Sequence, residues 1–386
     1  MSEFRTIREL CSVVVDCPHS TPKWTANGKI VIRNKNIKHG KIDFSSPSYT
    51  DDEHFAQRIK RAKPQPGDII ITREAPIGDV GMIPENTECC LGQRMVLLRA
   101  NQSVCDNFYL LYSLQSLYVQ HQISWSEGTG TTVSNLRIPH LEQIQIPYLP
   151  LEQQAKISSV LRALEEKIEN NRRLNDNLQQ QAAALFSSLY DRTNTEVRFT
   201  DLIQILGGGT PKTGENTYWK GNIAFFTPKD VGTPYTLITE KTITEEGLSH
   251  CNSRLYPVNT VFVTARGTVG KVGMSGVPMA MNQSCYALVG KETHQLLVYF
   301  YTLKAVDRLK HKASGAVFDA ITTRDFESEQ IMKLSDDDAK AFLCIAEPMF
   351  QKVLNNCIEN LRLSTLRDSL LPKLMSGEVD VSAVQL

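Results

Sequence analysis

No run of about 18 apolar residues, the length a helix needs to cross a bilayer, occurs anywhere in this 386-residue chain. Its opening stretch, MSEFRTIREL, also lacks the uninterrupted apolar core of a signal peptide. The nine cysteines form no C-x-x-C pair, and the eight histidines are scattered without metal-ligand spacing. Neither a zinc site nor a secreted disulfide framework is indicated, and the thiols read as reduced and packed. Net charge is missing too: 42 Lys+Arg balance 42 Asp+Glu, which excludes a polycationic chromatin-type protein. With 41% hydrophobic and 22% charged residues the composition is that of a globular protein. The expectation is a soluble, cytoplasmic chain of two or three domains with no membrane association.

Catalytic signatures are equally scarce. Gly207-Gly208-Gly209-Thr210-Pro211-Lys212-Thr213-Gly214 resembles a phosphate loop, but Pro211 stands where glycine must precede the lysine. A flexible turn is the better reading. There is no N-P-P-[YF] or D-P-P-[YF] tetrad, no G-x-S-x-G elbow, no H-E-x-x-H and no kinase signature. No acidic pair followed by x-Lys recurs as a nuclease would require. The expectation is a non-catalytic chain with no catalytic residue and no metal.

What the chain does contain is a repeat at a spacing of about 190 residues, too long for a solenoid and long enough for a whole domain. Ser20-Thr21-Pro22-Lys23 returns as Gly209-Thr210-Pro211-Lys212. The stretch from Asp68 to Met82 returns as Thr260 to Met274, with Thr72-Arg73-Glu74-Ala75-Pro76-Ile77-Gly78 facing Thr264-Ala265-Arg266-Gly267-Thr268-Val269-Gly270. Gln93 is matched by Gln283. Gly130, Leu136, Leu141 and Ile146 are echoed by Gly315, Ile321, Phe326 and Ile331, and Ile168-Glu169-Asn170 by Ile358-Glu359-Asn360. Each copy opens with short β-branched runs such as Gly28–Ile32, Ile69–Thr72, Met95–Leu98, Val261–Thr264 and Ala287–Val289, punctuated by Gly, Pro and Asn. Helices are expected near Asn107–Gln122 and His294–Lys312. The pattern reads as a mixed α+β domain, present twice.

Each copy ends in a segment of helical period. Over residues 152–190, Ile157, Leu164, Leu178 and Leu185 share one heptad position, interrupted by Asn171. Leu161, Ile168, Ala182 and Leu189 share the other, interrupted by Asn175. Five heptads with no internal proline predict a coiled-coil helix roughly 57 Å long, and the two asparagines would fix its register at some cost in stability. In the second copy Leu354, Ile358, Leu361 and Thr365 hold the seam, bracketed by Pro348 and Pro372. An ordinary amphipathic core helix is the competing reading of such a leucine stripe. The predicted organisation is a first domain at residues 1–150, a helical spacer at 151–191, a second domain at 192–334, a second spacer at 335–376 and a tail at 377–386.

Counting charge by segment resolves the zero total. The two domains carry 16 basic against 15 acidic and 16 against 13 side chains; residues 151–191 carry 5 against 6 and residues 335–386 carry 5 against 8. Residues 23–63 hold 10 Lys/Arg against 4 Asp/Glu, with His19, His39 and His54 in or beside them and Trp24 next to Lys23. Such clustering is the electrostatic footprint of phosphate contacts, although a solvated face would look the same. The candidate contacts in the first copy are Lys23, Arg33, Lys35, Lys38 and Arg73. In the second they are Lys212, Lys220, Lys229, Arg266 and Lys271. Arg73 and Arg266 have a further option, an internal ion pair.

Ile146-Pro147-Tyr148-Leu149-Pro150-Leu151-Glu152-Gln153-Gln154-Ala155-Lys156-Ile157, Gly209-Thr210-Pro211, Tyr218-Trp219, the Arg266–Gly273 stretch, Asn282-Gln283 and Leu366-Arg367-Asp368-Ser369-Leu370-Leu371-Pro372-Lys373-Leu374-Met375-Ser376-Gly377-Glu378 together resemble the specificity subunit of type I restriction-modification enzymes. The resemblance spans essentially the whole chain. It implies two target-recognition domains separated by two long conserved helices packed as an antiparallel coiled coil, and a bipartite double-stranded DNA target. Two methylation subunits and two restriction subunits would be the protein partners. S-adenosylmethionine, ATP and Mg2+ would belong to those partners, with no cofactor on this chain. The second helix departs from the family in opening with Ser335-Asp336-Asp337-Asp338 where the first has Pro150-Leu151-Glu152-Gln153. Glu74-Ala75-Pro76 against Arg266-Gly267-Thr268 predicts different half-sites and an asymmetric target. The reading from another class is a non-catalytic coiled-coil scaffold or interaction protein with paired α+β modules; a self-sufficient methyltransferase or nuclease is disfavoured by the missing motifs.

Overall fold

A computed structural model of the protein describes residues 3–381 except His39, Thr233 and the segments 126–134 and 313–319. Gly130 and Gly315 of the repeat therefore lie outside the described residues, as does His39. The chain divides into two compact units, Met1–Glu166 with Leu363–Leu386, and Lys167–Arg362.

In the first unit an antiparallel sheet has the strand order Cys11–Asp16, Met95–Ala100, Ile69–Thr72, Val80–Met82. A second sheet places Lys29–Ile32 between Ser48–Thr50 and Cys89–Leu91, parallel to the latter. The second unit repeats both. Ile203–Gly207, Cys285–Gly290, Val261–Thr264 and Val272–Ser275 form the larger sheet, extended by Tyr235–Thr236. Trp219–Phe226 lies between Lys241–Ile243 and Met279–Met281, again parallel to the latter. The β-branched runs read from the sequence become the central strands because both faces are covered: Ile69, Ile70 and Ile71 have no accessible surface, nor have Val261, Phe262 and Val263. The expected helix near Asn107–Gln122 is broken at Ser116 into Asn107–Gln115 and Leu117–Trp125, whereas its counterpart Gln295–Lys312 is continuous.

The repeated loop after the third core strand has one hydrogen-bond pattern in both copies. Thr72 Oγ1 accepts from the Asp79 amide and the Gly78 amide donates to the Thr72 carbonyl. Thr264 Oγ1 accepts from the Lys271 amide and the Gly270 amide donates to the Thr264 carbonyl. Gly78 and Gly270 both have left-handed φ, 81° and 74°, which accounts for their glycine. The stretch expected to be a flexible turn is instead tightly packed at Gly208, where a Cβ would lie 2.3 Å from the Asn282 carbonyl oxygen.

Each unit contains half of an antiparallel helix pair. The first long helix runs Leu151–Tyr190 and the second Asp336–Met375. Leu161, Ile168, Asn175, Ala182 and Leu189 are all buried, so one predicted heptad position is a true seam. Ile157 and Asn171 of the other position are buried too, while Leu164, Leu178 and Leu185 are half-buried. The second helix requires correction. Pro348 and Pro372, inside the helix on exposed positions, do not bracket its seam, because buried Phe342 and Leu374 lie beyond them. A proline removes one helical hydrogen bond and crowds the preceding turn; at an exposed position water can satisfy the freed carbonyl. Thr365 is exposed rather than in the seam. Leu354 is buried, Ile358 and Leu361 are half-buried, and the deeper contacts come from Phe342, Ala346, Phe350 and Val353.

In the second unit the two predicted interruptions meet polar partners. Asn171 Nδ2 donates to Glu359 Oε2 at 2.7 Å and to Asn360 Oδ1 at 2.9 Å. Asn356 Nδ2 donates to Asn175 Oδ1 at 2.8 Å. The rising numbers on one helix meet falling numbers on the other, which makes the pair antiparallel. In the first unit Ile157 and Leu161 share a core with Leu370, Leu371, Leu374 and Met375, and Arg367 pairs with Glu165 at 3.6 Å. Asn356→Ala should leave the buried Asn175 side chain without this partner and lower stability by about 1–3 kcal/mol. Replacing both by leucine should recover most of that loss. Urea midpoints of the two variants check this, and a double variant as unstable as Asn356→Ala would show that packing volume, not polar pairing, sets the cost.

Candidate nucleic-acid interface

Part of the basic run at residues 23–63 is engaged inside the folded chain. Lys29 and Lys63 flank Glu88 and hold its carboxyl down at about 2 through hydrogen bonds of 2.5 and 2.9 Å. Lys38 pairs with Asp43 at 2.8 Å and lowers that carboxyl as well. Arg58 is buried and donates to the carbonyls of Leu91, Ser20 and Pro18. Lys23, itself exposed, has a looser partner in the half-buried Asp51 at 3.5 Å.

Two further cations of the run, Arg33 and Lys35, line a shallow groove with Pro22, Trp24, Asn34, Gly92, Gln93 and Arg94, with a volume of about 330 Å³. The Arg33 guanidinium sits over the exposed Trp24 ring, 4.9 Å from its centroid. Lys35 is exposed and donates to the Ser46 hydroxyl at 3.1 Å. Arg94 has left-handed backbone (φ 66°) and is steadied by Glu74 at 3.0 Å. Glu74 is in turn held by the Asn135 amide at 2.9 Å, and its carbonyl accepts from Asn34 at 2.5 Å. Three cations and an aromatic face on one groove match what phosphates and base faces require. Arg94 escaped the sequence reading because it lies some 60 residues from the other cations; its position directly after Gln93, a repeat landmark, was the available signal.

Arg73 takes the internal alternative. Its guanidinium donates to both Asp16 oxygens at 2.9 Å, to the Leu136 carbonyl and to Asn135, and its side chain is only 11% exposed. Arg266 does not occupy the matching place. The Arg73 amide donates to the Arg94 carbonyl and the Ala265 amide to that of Ser284, so Arg73 registers with Ala265. By the same strand register Asp16 faces Val96 as Gly207 faces Tyr286, so both partners of the first unit's ion pair are missing from the second. Arg266 is exposed, as are Lys212, Lys220 and Lys271, and none of the four has an ion-pair partner among the described residues. Lys229 makes a loose pair with Glu240 at 3.6 Å.

The duplicated Thr-Pro-Lys motif and the duplicated glutamine, 70 or so residues apart in sequence, meet in both units. Gln93 Nε2 donates to Thr21 Oγ1 at 3.2 Å and to the His19 carbonyl, and Thr210 Oγ1 donates to Gln283 Oε1. Around that link Pro22 and Pro211 are buried while Lys23 and Lys212 point out.

Among the described residues no group of three His, Cys, Asp or Glu is close enough to hold a cation. Burial pushes the thiols of Cys11, Cys89 and Cys285 up to about 12, so they stay protonated. No helix among the described residues is long and apolar enough to cross a membrane.

A profile of the type I restriction modification DNA specificity domain matches twice, at residues 3–180 and 192–333. A type I restriction enzyme specificity subunit (MjaIX) from Methanocaldococcus jannaschii is 23% identical over 82% of this chain and 78% of its own length. A second from that organism, described as a putative MjaX specificity subunit, is 22% identical over 98% and 94%. Among solved structures, the S subunit of a type I restriction-modification system from M. genitalium aligns over 96% of this chain and 95% of its own with a TM-score of 0.60 at 18% identity, a likeness of fold.

Because Arg73 is held inside, Arg73→Ala should lower stability by about 2–3 kcal/mol, the scale of lost charge-assisted hydrogen bonds. It should leave the preferred DNA sequence of the assembled complex unchanged. Unfolding midpoints and methylation-site mapping of the variant check both halves, and an altered sequence preference would return Arg73 to the interface.

Proposed function

The chain belongs to the type I restriction-modification DNA specificity family, and on that footing we propose that it selects a bipartite, asymmetric DNA target and positions methylation and restriction subunits on it. The observation that carries this reading is the pair of like-folded domains that differ at matching positions of one surface. The first unit's groove offers Arg33 and Arg94. Strand register puts Thr227 and Ser284 at those places in the second unit, because Ile32 and Phe226 accept equivalent bonds from Gly92 and Asn282. Two readers with one frame and different side chains suit two different half-sites. Each position read is worth about 1–3 kcal/mol, so a single small reader discriminates weakly. A second reader on the same chain makes its contact intramolecular and multiplies the discrimination.

The specificity family is non-catalytic, and the reading leaves chemistry to partners. Two methylation subunits would bring S-adenosylmethionine, and two restriction subunits ATP and Mg2+. The long helices are the proposed docking surface and the element that sets the spacer between half-sites. Isolated, the chain should bind DNA weakly, since its net charge is zero.

Single-molecule mapping of adenine methylation, in cells with or without this chain and its cognate methylation subunit, tests the proposal. The expected outcome is an asymmetric bipartite motif that appears only when the chain is present; a palindromic motif, or none, would defeat it. Seven residues inserted between seam layers within 158–185, and matched in the second helix, should change the spacer and leave both half-sites intact. A changed half-site would refute that division of labour.

A further inference from the structure

The two domains share more surface than the sequence repeat reveals. After the strand Lys29–Ile32 the chain turns through Arg33-Asn34-Lys35-Asn36, and the Asn36 side chain accepts from the Arg33 amide at 3.0 Å. After Trp219–Phe226 it turns through Thr227-Pro228-Lys229-Asp230, and the Asp230 side chain accepts from the Thr227 amide at 2.8 Å. The backbone closes alike, with Asn36 donating to the Arg33 carbonyl and Asp230 to that of Thr227. Lys35 and Lys229 are therefore the same position, and both are exposed.

The Thr-Pro-Lys turn supplies a second shared lysine, and its backbone is anchored in each unit by a different donor. Thr50 Oγ1, from a fully buried residue, donates to the Lys23 carbonyl at 2.8 Å. Trp219 Nε1 donates to the Lys212 carbonyl at 3.1 Å. Different residues thus hold the carbonyl of the same motif lysine. In the first unit Pro22 and Lys35 line the same groove. The ion pairs of Lys23 and Lys229 are loose, at 3.5 and 3.6 Å, and both lysines are exposed, so a phosphate can replace the acids at little cost.

A side chain that is the same in two readers of different sequences cannot be what distinguishes them. Phosphates are the part of the duplex that does not vary, and lysine on a pinned turn is a suitable partner for them. We infer that Lys23 with Lys35, and Lys212 with Lys229, form a shared grip on the DNA backbone, and that the variable neighbours at 33 and 94, and at 227 and 284, read bases. This rests on the DNA-recognition reading above.

The test uses the chain assembled with its cognate methylation subunits on DNA bearing the mapped motif. Lys23→Gln with Lys35→Gln, and separately Lys212→Gln with Lys229→Gln, should each leave the methylated motif unchanged. Each pair should make log K against log salt less steep by about 2, at about 0.9 per lost phosphate. Arg33→Thr with Arg94→Ser should relax or change the bases accepted in one half-site only. A lysine pair that changes a base preference, or an unchanged salt slope, overturns the grip; both half-sites changing with Arg33 and Arg94 overturns the assignment of readers. If the wild-type complex shows no motif, the DNA-recognition reading fails, and this inference with it.

Discussion

Each α+β domain is closed by pairing its first strand with its last, and the rest of the arrangement hangs from that closure. Glu3–Thr6 lies antiparallel to Gln145–Tyr148, and Glu196–Arg198 to Gln330–Met332. The pairing brings the two ends of a domain of some 140 residues together, and a long helix begins within a few residues of it each time. Gln154 ties the first helix to this knot: its amide reaches the Leu149 and Val104 carbonyls and accepts from the Asp106 amide. The second helix has no such glutamine. There Ser335 caps the start by accepting from the Asp338 amide, beneath three aspartates that favour a helix N-terminus. The family-like Pro-x-Glu-Gln start is thus one of two ways to launch the same element.

Between those ends the helix pair trades stability for definition. A seam of leucine alone tolerates sliding by a turn, because one apolar layer resembles the next. Asn171 and Asn175 cannot slide without giving up Glu359, Asn360 and Asn356, and a buried amide without a partner is costly. In a protein proposed to measure a distance along DNA, a register error of one turn would be an error of about 5 Å. The polar layer is therefore where a spacing function would place its constraint.

Much of this was legible in the sequence. The duplication, the α+β character, the central strands and the two helical segments follow from period and punctuation, since burial on both faces leaves an unmistakable β-branched run. The first seam was readable for the same reason. The second was readable only in part: Leu354 is buried as expected, but Phe342, Ala346, Phe350 and Val353 make the deeper contacts, and two prolines sit at exposed positions where a helix can bear them. Charge was the least legible layer. A count over 23–63 gives ten cations, but whether Arg58 ends up beneath carbonyls or Arg33 over an indole depends on contacts from distant parts of the chain. Arg73 shows the limit: its partner Asp16 is 57 residues away, and only strand register sets them side by side.

That register also separates what the two copies had to keep from what they could change. The ion pair Asp16–Arg73 of one domain becomes Gly207 and Ala265 in the other, so the interior of the loop junction was free to vary so long as both partners changed together. The Thr–Gln link and the lysine on its turn stayed, although the anchor beneath that lysine changed from a threonine to a tryptophan. A scaffold needs the link to hold its turn; it has no need to keep an exposed lysine at the tip. Internal stability explains little of a lysine retained with one loose ion pair, to Asp51, in the first copy and no ion pair among the described residues in the second. The retained surface is therefore better explained by something outside the chain that is the same for both domains.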